Sequence, residues 1–364
     1  MKIKDITDYL EELAPLHYAE DFDNVGLLVG DYTTKVTGIL VTLDTLEHII
    51  DEAIEKKCNL IVSFHPIIFS GLKKINGSTY VERVILKAIK NDIAIYAMHT
   101  ALDNSIKGVS AKMAEILALK NTSILLPKKG LIKKLTTYAP TNDAKKVRKA
   151  LFNAGAGAIG NYNECSFNIE GKGTYRGNEN SNPTLGEKGE LHTEKETFIS
   201  VIFDMHLESK ILRALFKTHP YEEVAYDIVT TENTHQHIGM GMVGDLPKKM
   251  SEKEFLDFLK NKFNLKHIRH SSLLGKPIQK IAVLGGSGSF AIEAAIHADA
   301  DIYISADFKY HEFYKAENQI IIADIGHFES EQFTKNLLVD YLTKKFRNFA
   351  IILAETNTNP VNYI

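Results

Sequence analysis

Histidines and carboxylates follow the predicted strands of this 364-residue chain, and together they could hold a metal ion. His65 follows the apolar run NLIVSF, whereas His99 and Asp103 follow DIAIYAM. His327 and Glu331 follow QIIIADIG. Parallel sheets bind ligands beyond the carboxyl ends of their strands. We therefore expect these side chains to cluster at the carboxyl ends of strands from both halves of the main body.

The pair His327 and Glu331 has the spacing of two ligands on one helix face. The residues are four apart at the start of a predicted helix, so they lie one turn apart. Imidazole and carboxylate together suit Zn²⁺, Mn²⁺, Fe²⁺ or Co²⁺ rather than Ca²⁺. A solvated ion pair gives the same spacing, and His65 before Pro66 also fits an ordinary turn. The joint pattern, rather than either feature alone, favours a metal site.

A glycine-rich turn, GGSGSF at 285–290, joins a predicted strand to a predicted helix. Free backbone N–H groups of Gly286, Ser287 and Gly288 beside a helix N-terminus would favour a phosphate. The turn matches neither a dinucleotide-binding fingerprint nor a Walker A sequence. A tight strand-to-helix turn therefore remains the alternative interpretation.

Two histidines are candidates for proton transfer, a role that imidazole serves near neutral pH. His99 follows DIAIYAM, and His311 follows the predicted strand DIYISAD. A packing role for either histidine remains the alternative.

Composition excludes several classes of protein. Only two cysteines occur, Cys58 and Cys165, so we expect neither a disulfide framework nor a cysteine-rich zinc module. The 43 basic and 46 acidic residues give a net charge of −3, which makes nucleic acid unlikely as the main partner. No signal-peptide pattern or membrane-spanning apolar run is present. We expect a cytoplasmic protein without a membrane partner.

The elements that position these residues predict an α/β fold. Strands and helices alternate in the first and last thirds, which is typical of a parallel sheet covered by helices. The middle reads β-α-β-β-β-α-β, close to a ferredoxin-like unit. We predict a three-layer parallel-sheet main body of two similar halves, 1–130 and 238–364, interrupted by a ferredoxin-like α+β domain at 131–237.

Motifs along the whole chain match one family. They are DFDNVGLLVGD, SFHPIIF, AMHTALDN, LGGSGSF, ISADFKYHEF and IADIGHFESEQ, with GKGTYRG and THPYEEVAYDI in the middle. The chain resembles the NGG-one-interacting-factor-three-like family, whose bacterial members are called GTP cyclohydrolase 1 type 2 homologues. The middle motifs resemble the PII/CutA-like inserted domain of its longer members.

The resemblance implies one or two divalent metal ions facing an internal cavity, and a toroidal homohexamer. The ligands it implies are His65, Asp103, His327 and a bridging Glu331. The family commonly has His-His-Pro where this chain has Phe64-His65-Pro66, so one ion loses a ligand. Three outcomes of that loss remain open. The site could bind only one metal ion, water could fill the empty ligand position, or His99 could supply the ligand. Phe22 replaces the usual Trp, which we interpret as a core substitution.

Three functions fit these features. The first is a metal-dependent hydrolase of a nucleotide-like substrate, because a divalent ion activates water and polarises the attacked centre. The alternative is a non-catalytic metal-binding regulatory or interaction assembly. A nucleotide-cofactor oxidoreductase would rest on GGSGSF alone, without a suitably placed acid for the ribose. We interpret HPYEE, at 219–223, as a structural turn rather than a site.

Overall fold

A computed structural model describes residues 1–362, which form two compact units. The first unit comprises residues 1–126 together with the chain from residue 237 onward. The second unit comprises Pro127–Gln236. That the second unit is an inserted domain of the PII/CutA type stays a prediction.

The described residues contain fifteen strands. They are β1 (Gly26–Val29), β2 (Ile39–Thr42), β3 (Leu60–Ser63), β4 (Ala94–Ala97), β5 (Lys120–Pro127), β6 (Ile132–Pro140), β7 (Phe167–Arg176), β8 (Leu191–Asp204), β9 (Tyr226–Thr230), β10 (Gly239–Met250), β11 (Arg269–His270), β12 (Ile278–Ser287), β13 (Ile302–Ala306), β14 (Ile321–Asp324) and β15 (Ile351–Leu353).

Eleven α-helices accompany them within residues 1–362. They are α1 (Ile3–Leu13), α2 (Glu47–Glu55), α3 (Tyr80–Lys90), α4 (His99–Asp103), α5 (Val109–Ile116), α6 (Ala144–Ala154), α7 (Glu208–Thr218), α8 (Glu252–Phe263), α9 (Ile292–His297), α10 (His327–Glu331) and α11 (Thr334–Lys345). None of these helices has both the length and the apolar character needed to cross a membrane.

The first sheet has the strand order β1-β4-β3-β2-β15, and its strands are parallel except β1. All four residues of β2, β3 and β4 are buried, because apolar side chains cover both faces of the sheet. Successive residues alternate between two clusters: Ile39 and Val41 pack in one, and Leu40 packs in the other.

The second sheet has the order β11-β14-β13-β12-β10-β5. Its centre, β12-β13-β14, is parallel, whereas β10 and β11 pair antiparallel with their neighbours. The predicted α/β class is confirmed. No elements are predicted within 238–277, where β10, α8 and β11 lie; Gly239, Gly241 and Gly244 obscure the strand pattern of β10.

The second unit contains one antiparallel sheet with the order β7-β8-β6-β9. Helices α6 and α7 supply Leu151 and Leu215 to the core on one face of this sheet. The two short strands predicted before β8 form the single strand β7. Its residues pair with β8 without interruption from Phe167 to Arg176, so Gly171 and Gly173 lie in a strand rather than in a turn.

The spacing of apolar residues in ESEQFTKNLLVDYLTKKF predicts one helix over 329–346, but the structure interrupts it. Helix α10 ends at Glu331, and α11 begins only at Thr334. The sequence pattern of KYHEFYKAEN also predicts a helix, and the structure has a 3-10 helix there over Tyr310–Ala316. Because α10 is separate from α11, the short turn that carries His327 and Glu331 packs against β12 and β13.

Candidate metal centre

Three side chains of the first unit converge on one point. The Nε2 atom of His65 and the Nε2 atom of His327 each lie 3.3 Å from Oε2 of Glu331. The three donor atoms fall within 4.8 Å of one another, close enough to hold one ion. The structure therefore brings together the predicted helical pair and the histidine that follows β3.

The ends of two strands position these ligands. His65 follows β3, and its backbone N–H donates to the Leu43 carbonyl at 2.9 Å. His327 begins α10 directly after β14, with Gly326 at φ +92° as the N-cap. Because β3 and β14 belong to different sheets, the triad lies where the carboxyl ends of the two sheets meet.

Each imidazole is oriented by a carboxylate on its other nitrogen. Nδ1 of His65 lies 2.9 Å from Asp44 Oδ1, and Nδ1 of His327 lies 2.7 Å from Asp307 Oδ2. Such partners hold the Nδ1 proton and direct Nε2 toward a metal. In the sequence, Asp307 ends the predicted strand DIYISAD and Asp44 ends the apolar run GILVTLD, but these positions alone do not show which histidine each carboxylate meets.

The surroundings of the Glu331 side chain indicate whether these residues fit a metal ion. Its side chain is 4% exposed, and no donor in the described residues meets Oε2 in hydrogen-bond geometry. A buried carboxylate oxygen without such a donor is costly unless another group binds it. Two imidazole nitrogens that face this oxygen form a donor set typical of Zn²⁺, Mn²⁺, Fe²⁺ or Co²⁺. The residues present therefore fit a divalent metal.

The charges of the triad are strongly coupled. Burial would raise the pKa of Glu331, but its contacts with His327 and His65 outweigh burial and lower it to about 2. Burial would likewise lower the pKa of His65, but Asp44 and Glu331 raise it to about 10. The contact with Glu331 raises the pKa of His327 to about 9 against the effect of burial. A metal must displace these protons to bind.

Two cavities meet at the triad, and His327 and Glu331 line both. The first cavity, of about 520 Å³, also contains His65 and Arg269. The second cavity, of about 500 Å³, is also lined by Asp103, His99 and Phe22. The triad is therefore accessible from two sides of the first unit.

Asp103 lies beside the triad but outside the group of three. Burial and the nearby Glu331 charge raise its pKa well above the usual range. No hydrogen bond or ion pair of this carboxylate is found within residues 1–362, so its oxygens are available to a ligand. Its role as a metal ligand stays a prediction.

His99 has the same carboxylate arrangement as the two histidines of the triad. Its Nδ1 lies 2.8 Å from Oδ1 of Asp23, and its ring centroid is 5.3 Å from that of His65. Burial would raise the pKa of Asp23, but contacts with His99 and Thr100 outweigh burial and lower it to about 2. Asp23 is thus a further positioning residue that sequence reasoning missed.

Two phenylalanines differ in their surroundings. Phe64 is fully buried, and its ring meets the His99 ring edge-on at 5.6 Å. It therefore supplies packing but no ligand atom. The interpretation of Phe22 as a core residue was wrong: it is 67% exposed. It lines the second cavity because its loop, which precedes β1, lies at the cavity wall beside His99.

The GGSGSF turn brings backbone close to the triad. The Gly286 N–H donates to Ser330 Oγ at 2.9 Å, and the Gly288 N–H donates to the Ala306 carbonyl at 3.3 Å. These two amides are therefore used within the fold. Phosphate binding by Gly286, Ser287 and Gly288 stays a prediction.

His311 lies away from the residues that line the two cavities. It is exposed in the 3-10 helix, and its ring contacts Tyr310 at 5.2 Å and Tyr314 at 6.2 Å. A catalytic role for His311 stays a prediction.

Comparison with known proteins gives a consistent family. The family model described as Duf34/NIF3 (NGG1p interacting factor 3) matches residues 1–360. A Bacillus subtilis relative named "GTP cyclohydrolase 1 type 2 homolog" is 39% identical over 99% of this chain and 98% of its own length. A Bacillus cereus protein related to NIF3 superposes with a TM-score of 0.82 at 35% identity, over 100% of this chain and 99% of that chain. A Staphylococcus aureus protein superposes with a TM-score of 0.81 at 30% sequence identity, over 100% of this chain and 99% of that chain. The chain therefore belongs to the Duf34/NIF3 family.

Proposed function

We propose that this protein binds divalent metal at His65, His327 and Glu331, and that it is a metal-dependent hydrolase of a nucleotide-like substrate. The observation that carries the proposal is the convergence of two Nε2 atoms, each 3.3 Å from the buried Oε2 of Glu331. When bound, a divalent ion with an open position lowers the pKa of water and polarises the attacked centre.

A second ion would use the neighbouring residues. Asp103 offers a half-buried carboxylate without a hydrogen-bond partner in the described part of the chain. His99 offers its Nε2 atom, because Asp23 contacts Nδ1 and so orients the imidazole ring. We propose that Glu331 bridges the two positions, and that His99 either replaces the ligand missing at Phe64 or moves a proton during the reaction.

The walls of the two cavities support a substrate with a heterocycle and a charged group. Phe22 and Phe290 expose apolar rings in the second cavity. Arg269 is 59% exposed in the first cavity, where Asp324 holds its Nη1 at 2.9 Å. A guanidinium oriented in this way suits a phosphate oxygen. The name of the Bacillus subtilis relative also favours a nucleotide.

Turnover of a nucleotide panel, after metal removal and after addition of Mn²⁺, Zn²⁺ or Fe²⁺, tests the activity. We expect product that depends on metal and disappears in Glu331→Gln. Glu293→Gln, an exposed glutamate on α9, is the matched control and should keep the wild-type rate. Tight metal binding without turnover of any nucleotide would contradict the hydrolase.

The alternative function is a non-catalytic metal-binding regulatory or interaction assembly. Phe64 favours it, because a fully buried phenyl ring occupies the position of a family ligand and leaves fewer donors. Metal analysis that finds stoichiometric metal, combined with inactivity toward the whole panel, would favour this function.

We also propose a cytoplasmic homohexamer with the second unit as a PII/CutA-like inserted domain, as the family resemblance implies. The native mass of the purified protein tests the assembly. A mass of six chains is expected, and a monomer would contradict it.

A further inference from the structure

The sheet of the second unit has one face away from its helices. Ile199 and Val201 of β8 point into the core that α6 and α7 cover. Side chains alternate along a strand, so the other face carries Glu196 and Phe198. Tyr138 pairs with Phe198 in the neighbouring strand and therefore shares that face.

The strand β7 extends the same face on the other side of β8. Gly171 pairs with Glu196, and Tyr175 lies four residues farther along β7, so its side chain points to the same side. At Gly173 a Cβ atom would lie 2.0 Å from Glu196 Oε2. Because residue 173 is a glycine, the Glu196 carboxylate has room to lie against β7.

Two segments lie against this face and border an open cavity of about 390 Å³. Thr184 Oγ1 donates to the Pro220 carbonyl at 2.8 Å, and the Asn182 N–H donates to Glu222 Oε1 at 2.6 Å. Tyr175 OH donates to the Leu185 carbonyl at 2.9 Å. These bonds join the loop after β7 to the HPYEE turn, so the cavity has a defined wall on each side.

In the HPYEE turn, His219 stabilises the backbone and Tyr221 lines the cavity. His219 Nε2 lies 2.8 Å from the Tyr138 carbonyl, and Nδ1 accepts the Tyr221 N–H at 3.1 Å. Both ring nitrogens are thus used to fix the turn. The turn places the Tyr221 ring in the cavity, 5.7 Å from the Tyr175 ring at an angle of 66°.

Aromatic rings and carboxylates make up the chemistry of this cavity. Tyr138, Tyr175 and Tyr221 line it, and Tyr221 OH donates to Glu196 Oε1 at 2.9 Å. Glu222 and Glu223 are further lining residues. Arg176 is the one lysine or arginine among the lining residues that the structure describes, so the lining residues include three carboxylates and a single guanidinium.

We propose that this cavity binds a small organic cation with an ammonium group. The faces of tyrosine rings attract cations, and a carboxylate beside them supplies the countercharge. The volume is within the range of small-molecule sites, roughly 300–1,000 Å³. A phosphate would meet the excess of carboxylates, and a bare metal ion would gain little from tyrosine rings. All residues that line this cavity belong to the second unit.

Calorimetric titration of the full chain with choline, putrescine and methylamine tests the proposal. We expect at least one of them to bind with one site per chain. The neutral isostere of choline, 3,3-dimethylbutan-1-ol, should bind about tenfold more weakly than choline, since it lacks the charge that the rings attract.

Substitutions locate the site. Glu196→Gln keeps the shape but removes the charge, and Tyr175→Leu keeps apolar volume but removes the aromatic face. Each should weaken the binding about fivefold or more. Glu190→Gln, at an exposed glutamate just before β8, is the matched control and should bind like the wild type.

Three results would overturn the proposal. One is a Kd weaker than about 1 mM for all three amines. Another is equal binding of choline and its neutral isostere, which would indicate an apolar pocket only. The third is unchanged affinity in Glu196→Gln with a wild-type circular dichroism spectrum, which would place the binding elsewhere.

Discussion

Gly286 and Glu331 are so close that a Cβ atom on residue 286 would lie 2.4 Å from Glu331 Oε1. Gly286 also has φ +71°, a conformation that side chains with a Cβ rarely adopt. The position of the Glu331 carboxylate between the two imidazoles thus depends on a glycine near the end of β12. Strand β12 and helix α10 jointly determine the geometry of the candidate metal centre.

Gly286→Ala should therefore displace the Glu331 carboxylate from the two imidazoles. We expect metal affinity to fall at least about tenfold, with a stability loss of roughly 1–3 kcal/mol from the positive φ. Metal titration and thermal unfolding measure the two effects.

The matched control is Gly275→Ala, because Gly275 has φ +69° but no atom within 4 Å of the added Cβ. It should lose stability through the same backbone strain and keep metal affinity. Equal metal affinity in both variants would contradict the role of Gly286 beside Glu331.

Asp44→Asn should weaken metal binding through His65. The carboxylate lies 2.9 Å from His65 Nδ1, and Thr358 Oγ1 donates to its other oxygen at 2.9 Å. Loss of such a partner costs about tenfold to a hundredfold in metal affinity. Asp299→Asn, at an exposed position with φ +54°, is the control. Unchanged affinity in Asp44→Asn would show that packing alone orients His65.

The sequence predicts the triad because its members obey simple local rules. His65 and His327 come directly after buried strands, and Glu331 lies one helical turn beyond His327. Strand polarity therefore places each histidine at the carboxyl end of its own sheet, and the meeting of the two sheets brings them together. The α/β class follows from the same alternation of apolar runs and helices.

The remaining features depend on contacts between distant segments. Asp44 and Asp23 reach histidines 21 and 76 residues away, and no spacing rule predicts which carboxylate meets which imidazole. Phe22 is exposed because of the path of its loop, although its residue type suggests a core. Strand β7 contains glycines that indicate a turn, but its pairing with β8 outweighs that local preference.

Glu52→Gln should make stability less dependent on pH. Glu52 accepts the backbone N–H of Glu355 at 2.8 Å and of Thr356 at 3.1 Å, which ties α2 to the chain after β15. Burial would raise its pKa, but a hydrogen bond from the Thr356 hydroxyl, together with the two backbone hydrogen bonds, outweighs burial and lowers it to about 2. A lowered folded-state pKa stabilises the fold above the unfolded value, and the contribution is lost as pH falls toward 2.

We expect the substitution to reduce the free energy of unfolding by about 1–3 kcal/mol at neutral pH. The difference from the wild type should shrink as the solution is acidified below pH ~4.5. Denaturant unfolding at several pH values measures it. Glu55→Gln, at an exposed position on the same helix, should show almost no effect. If the loss of unfolding free energy in Glu52→Gln did not change with pH, the ionised Glu52 carboxylate would not be what stabilises the fold.

Phe64→His should raise the number of metal ions bound per chain. Phe64 lies directly before His65, and its ring contacts the rings of both His65 and His99, at 4.8 Å and 5.6 Å. An imidazole here would add a donor beside His65 and His99. The polar ring in a fully buried place should cost about 1–3 kcal/mol in the metal-free protein.

Metal analysis of the dialysed variant measures the count, and Phe64→Leu is the control that removes the phenyl ring without adding a donor. Added metal should restore stability to Phe64→His but not to Phe64→Leu, because only the former gains a ligand. An unchanged metal count in Phe64→His would mean that another group, such as His99, already fills the place of the missing ligand.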